Sequence, residues 1–171
     1  MSDIQPDPYI DHLAAQHGSE YEPLTITVHG RPAPQGSKRH VGNGVMVESS
    51  KAVKPWREDV KQAGLDAMGW GERPCLDGPL RVSMVFTFAR PASHYGTGRN
   101  AGRLKPSAPL APHVYPDLSK LARATEDALT DARVWRDDSR VVEYTRLAKV
   151  YVGPGTISTP GAVITIEEVT P

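Results

Sequence analysis

A chain of 171 residues suits one domain with a single core and is short for two, since domains most often run about 100–150 residues. With 39% apolar residues, 23% charged residues, fifteen glycines and sixteen prolines, the composition describes a folded core with long loops rather than a disordered or fibrous chain. Apolar runs are only a few residues long and the N-terminus lacks a basic leader, so a cytoplasmic protein with no membrane segment is expected, while the lone Cys75 excludes an internal disulfide and a thiolate zinc site.

The zero formal net charge hides an asymmetry that sets the domain organisation. Residues 1–22 carry five acids and no Lys or Arg, and read as a polar arm, weakly helical or disordered. Residues 23–171 read as the folded domain. It begins with an alternating strand over Leu24–Val28, followed by the turn-rich segment HGRPAPQGS. Arg39–Glu48 holds Gly42-Asn43-Gly44 between β-favouring pieces, a hairpin signal. Ser49 or Ser50 then offers a cap for a helix over about Val53–Met68, whose apolar face is Trp56, Val60, Ala63 and Ala67; Pro55 falls in its first turn. Lys38, Arg39, Lys51, Lys54, Arg57 and Lys61 flank this hairpin and helix and suit a phosphate backbone. Trp56 reads as core or interface rather than as a stacking platform, and so does Trp135.

Leu80–Phe88 alternates strictly between apolar and mixed positions, which predicts a strand with one buried face. A Gly/Pro-rich loop over about 89–116 follows. No acid lies between Asp77 and Asp117, whereas Arg81, Arg90, Arg99, Arg103 and Lys105 do, with His94 and His113. Loops this long are usually functional or disordered, and the charge again suits a phosphate backbone, with Tyr95 and His94 the loop's candidates for a wedge at the open centre of a branched substrate. A second helix is expected over about Leu118–Asp131, then strands over Ser139–Val152 and Ala162–Val169. The order favours an α+β fold, one domain with a mixed sheet and two main helices packed on it. Whether the strand after the second helix runs parallel to its neighbours is left open by the pattern.

Chemistry concentrates where the charge sign changes. Seven acids fall within Tyr115–Glu143. On a wheel of 100° per residue, Leu118, Leu121, Ala122, Thr125 and Leu129 form the buried stripe, and Ser119, Arg123 and Glu126 lie within about 60° of one another on an adjoining face. Asp117 stands at the helix start as cap or ligand, and Asp137 and Asp138 arrive together at the mouth of the next strand. Carboxylates gathered in this way favour Mg²⁺ or Mn²⁺, held by one or two of them together with substrate phosphates. His29, His40 and His113 lack ligand spacing, and the Gln35-Gly36-Ser37-Lys38 segment lacks the spacing of a phosphate-binding loop.

The ordered motifs Pro116-Asp117-Leu118-Ser119-Lys120-Leu121, Asp127-Ala128-Leu129 and Trp135-Arg136-Asp137-Asp138-Ser139-Arg140-Val141-Val142 resemble the core of the RusA-type Holliday junction resolvases, common in prophages and bacteriophages. The opening Gly30–Lys38 segment is similar to phage members of that family. The resemblance spans most of residues 24–169 and leaves the acidic arm unmatched. It implies a homodimeric endonuclease of the bacterial cytoplasm that nicks four-way DNA junctions symmetrically with Mg²⁺ or Mn²⁺, a metal-activated water attacking the phosphodiester. By motif matching Asp117 and Asp138 fall on essential carboxylates and Arg123 on an assisting cation. Ser119 departs from the family, which usually has a second carboxylate there. Glu126, two helical turns further along the same face, is expected to replace it as a metal ligand, with Asp137 or Asp127 as second-sphere or alternative groups. Arg90, Arg99, Arg103, Lys105 and Lys120 join the basic residues above as expected DNA contacts. The rival reading is a catalytically silent junction-binding protein in which Ser119 marks a lost ligand.

Overall fold

The computed structural model of the chain describes residues 22–36, 38–40, 46–48 and 51–169, with the backbone alone for 38–40 and 46–48. The expected acidic arm before Glu22 and the Gly42-Asn43-Gly44 turn lie outside the described residues, as do the candidate caps Ser49 and Ser50.

Alternation produces the sheet. Strands β1 (Leu24–His29), β4 (Leu80–Phe88), β5 (Val141–Tyr151) and β6 (Gly161–Glu168) line up in the order β1-β6-β4-β5. β6 runs antiparallel to both β1 and β4, whereas β4 and β5 are parallel. The direction that the pattern left open is therefore parallel, and the chain crosses from β4 to β5 through the second helix, as parallel neighbours require. Two short strands, β2 (Lys38–His40) and β3 (Met46–Glu48), form a separate antiparallel ribbon where the hairpin was expected.

Across β1, β6 and β4 one face of the sheet is buried. Leu24, Ile26 and Val28 of β1 sit beside Ile166, Ile164 and Ala162 of β6, and these sit beside Val82, Met84 and Phe86 of β4. Helices α1 (Val53–Ala67) and α2 (Leu118–Asp131) cover that face. Removing this aliphatic surface from water, at about 25 cal/mol per Å², is the main favourable contribution to folding.

α1 buries Val53, Trp56, Val60 and Gly64. Ala63 and Ala67 of the expected stripe are half-buried against the core, and Gly64 between them is buried because the helix approaches the exit of α2 closely: a Cβ at Gly64 would stand 3.0 Å from the Cβ of Ala132 and 3.1 Å from Cγ2 of Val134. Trp56 and Trp135 are core residues, 0% and 1% exposed, and each finds a hydroxyl for its indole N–H: Trp56 donates to Thr125 Oγ1 at 3.2 Å and Trp135 to Thr130 Oγ1 at 2.8 Å. These bonds fix α2 against α1 and against its own outgoing chain. α2 has the expected bounds and buries Leu121, Ala122, Ala124, Thr125, Ala128 and Leu129.

Candidate active site

α2 presents three different environments. At its start Asp117 occupies the N-cap position, yet its side chain makes no cap hydrogen bond. The carboxylate is exposed, with Lys120 Nζ 3.3 Å away. The chain entering the helix is held from β5, since Lys149 Nζ donates to the carbonyls of Val114 and Pro116 at 2.7 and 2.8 Å. Ser119, one residue into the helix, is exposed.

On the side turned toward β5, Glu126 is half-buried and accepts a short hydrogen bond from the hydroxyl of Tyr144. Tyr144 pairs with Val82 in the β4–β5 register, which turns its ring to the helix-covered face. Burial pushes the Glu126 carboxyl above its usual range, and the nearby carboxylates of Asp138 and Asp127 push the same way; the Tyr144 hydrogen bond and the Arg123 cation oppose them. The Tyr144 hydroxyl is pushed up by burial, by its bond to Glu126 and by the charges of Glu126 and Asp138. The charge of Asp138 thus acts on both groups.

Asp138 opens a short 3₁₀ turn, Asp138–Arg140, at the mouth of β5. The turn is braced from three sides. Asp137 caps it, Oδ1 accepting the Ser139 N–H at 3.0 Å, and that bond holds its carboxyl below the usual range. Asp77 draws in the two flanking arginines, with Arg136 Nη1 at 3.0 Å and Arg140 Nη2 at 2.7 Å. The backbone of Leu76 exchanges bonds with Val134 and Arg136, its N–H donating at 3.0 Å and its carbonyl accepting at 3.0 Å. Asp138 itself enters no ion pair among the described residues.

The side turned toward α1 is a contrast. Arg57 of α1 lies 2.9 Å from Asp131 and 3.5 Å from Asp127. Arg57, expected to contact DNA, instead ties the two helices together, and Asp127 is engaged with it. Asp137, the other alternative ligand, is engaged as a cap.

The structure thus sets Glu126 against Tyr144 within the field of Asp138 and Arg123, and sets Asp77 against the arginines that flank Asp138; Tyr144 and Asp77 are residues the sequence reading missed. It does not bring Glu126 to Asp117: nine residues of helix put about 13 Å of axial rise between them. Nor does Glu126 reach the place of Ser119, seven residues or about 10 Å away along the axis. Its carboxylate turns to the Asp138 side. Lys51 and Lys54 are exposed, and the side chains of Lys38 and Arg39 lie outside the described residues.

Among the described residues no group of three or more His, Cys, Asp and Glu is drawn together as a ready metal cage. The donor set nevertheless fits a hard divalent cation that keeps most of its waters. Such an ion needs one or two carboxylates, the remaining sites going to water and substrate phosphate. Glu126 and Asp138 are two oxygen donors; burial raises the Glu126 carboxyl first and the charge of Asp138 adds to it, and a cation would offset that charge.

The elements form an α+β domain with a mixed four-stranded sheet and two helices on one face, with acidic groups between helix and strand mouth. The family model described as Endodeoxyribonuclease RusA matches residues 29–167, and the chain belongs to that family. Its members are endodeoxyribonucleases, which hydrolyse phosphodiester bonds of DNA; the family implies resolution of Holliday junctions, binding of branched DNA and a general dependence on divalent metal. No curated protein matches the chain. No helix among the described residues is long and apolar enough to cross a membrane.

Proposed function

We propose that this chain resolves four-way DNA junctions by paired symmetric nicks, using Mg²⁺ or Mn²⁺ held by Asp138 and Glu126. The observation that carries the reading is Glu126, a half-buried carboxylate with a raised pKa, oriented by Tyr144 and within the field of Asp138. Perturbed acids of this kind concentrate at functional sites. A carboxylate is missing at Ser119, and Glu126 supplies one from the Asp138 side instead.

When bound, a divalent cation neutralises charge on the scissile phosphate and lowers the pKa of a water. The residues of the chain supply the rest. Asp138 and Glu126 offer the oxygen ligands, Tyr144 fixes the rotamer of Glu126, and Asp77 with Asp137 fixes the turn that carries Asp138. Asp117, free of any cap bond, adds a carboxylate at the helix start, and Arg123 offsets negative charge developing at the phosphate. Two symmetric nicks need two sites related by a two-fold axis, so the working form is a homodimer.

The test is a labelled four-way junction incubated with the purified protein in Mg²⁺ and in Mn²⁺. Paired nicks by the wild type, and binding without nicks by Asp138→Asn, are expected. Tight metal-independent binding with no nicking by the wild type would establish the catalytically silent reading instead.

A further inference from the structure

The acid-free segment between β4 and α2 is a built element. Residues 94–105 fold into a small hairpin: Tyr95 bridges Leu104, the Gly96 N–H donates to the Arg103 carbonyl at 2.9 Å, and the Lys105 N–H donates to the His94 carbonyl at 2.9 Å. A 3₁₀ turn at Gly98–Asn100 closes the tip. Gly98, which opens that turn, and Gly102, just beyond it, adopt φ of 56° and 79°, left-handed values that suit glycine.

The root of the hairpin is anchored on the end of β5. The guanidinium of Arg90 stacks 4.0 Å over the Tyr151 ring and its Nη1 donates to the Pro109 carbonyl at 2.8 Å. His94 meets the same ring edge-on at 5.6 Å, and Lys105 Nζ donates to the Ser93 carbonyl at 2.8 Å. Lys149, as above, holds the segment where it enters α2, one residue before Asp117. Four cations that the sequence treated alike therefore divide into two kinds. Arg90 and Lys105 hold the hairpin in shape. Arg99 and Arg103, near its tip, are exposed and enter no ion pair or side-chain hydrogen bond among the described residues. His94, half-buried against Tyr151, is part of the root and not a free wedge.

We propose that this hairpin is a phosphate clamp, in which Arg99 and Arg103 each neutralise a backbone phosphate of a duplex arm of branched DNA, while Arg90 and Lys105 set its position. The inference rests on the nuclease reading and deepens it. Two exposed guanidiniums on a braced turn, with no acid from residue 78 to residue 116, give a surface to which a polyanion adds without displacing any internal partner. Anchoring on Tyr151 and Lys149 fixes the clamp relative to the start of α2.

The experiment measures binding of a labelled four-way junction in EDTA between 50 and 200 mM salt, for the wild type and for Arg99→Gln/Arg103→Gln. Each lost phosphate contact lowers the log-log salt slope by about 0.9, so the double variant, which loses two contacts in each subunit of the dimer, is expected to show a slope shallower by about 3.6. Its affinity deficit should then shrink by about a hundredfold across that salt range. Each single variant should give half the change in slope, which keeps the test open if the double variant folds poorly. Equal slopes and affinities for wild type and variants would overturn the clamp while leaving the nuclease reading intact. Failure of the wild type to bind the junction at all would overturn both.

Discussion

Glu126 and Asp127 are neighbours in sequence with the same formal charge, and α2 gives them opposite roles. Asp127 faces α1, where Arg57 spans it and Asp131. Glu126 faces β5, where it meets a tyrosine hydroxyl and the field of a second carboxylate. One side of the helix is neutralised within the chain and serves the packing of α1 on α2. The other side keeps a surplus of negative charge at the end of the sheet where the chain enters β5. That surplus, only partly offset by Arg123, is the basis of the metal-ligand role proposed for Glu126.

The sharpest way to break that contrast is at the brace of the Asp138 turn. Asp77→Ala releases Arg136 and Arg140, and junction cleavage should fall by about tenfold or more, as for other groups that orient a metal ligand. The cations beside Asp77 hold its carboxyl below the usual range. Its contribution to stability is therefore present at neutral pH and fades as pH falls through its lowered folded value. Thermal melts of Asp77→Asn and wild type should differ at pH 7 and converge at strongly acid pH.

Arg57→Gln tests the neutralised side. Removing the tie between the helices should cost about 0.5–1 kcal/mol, the range of partly exposed ion pairs, and leave the cleavage rate of bound junctions unchanged. Loss of cleavage by Arg57→Gln with unchanged stability would invert the roles assigned to the two sides.

A smaller effect of opposite sign is expected at Glu126. Because its carboxyl is raised in the folded chain, the native state holds its proton more tightly than the unfolded state does. Stability therefore declines as pH rises from the ordinary carboxylate range through the raised folded value. Glu126→Gln keeps an acceptor for Tyr144 without the charge. In EDTA its melting temperature should exceed that of the wild type at pH 7.5, and the gain should vanish near pH 4.

Much of this architecture is legible in local pattern. β4 and α2 have the bounds that alternation and the Pro116-Asp117 start imply, because both elements are fixed by residues within their own length. β5 starts later than expected because Asp138–Arg140 forms a turn capped by Asp137, a hydrogen bond that hydrophobic period does not register. The parallel pairing of β4 with β5 was open because a strand has the same two-residue period in either direction. Glu126 was legible as an odd charge on the polar face, but its partner was not: Tyr144 meets it only through the register of β5 against α2. Arg57 was grouped with its basic neighbours because the acids that bind it lie some 70 residues further on. Arg90 read as a free cation for the same reason, since Tyr151 lies on another strand, and Lys105 did because its partner is a backbone carbonyl, that of Ser93.

The central claim is that Glu126 takes over the carboxylate function absent at Ser119, and single-turnover cleavage of a four-way junction by Glu126→Gln in Mg²⁺ tests it most directly. The account predicts that cleavage falls by at least about a hundredfold, beyond the range of a merely orienting group, while junction binding in EDTA matches the wild type. Cleavage at the wild-type rate would contradict it.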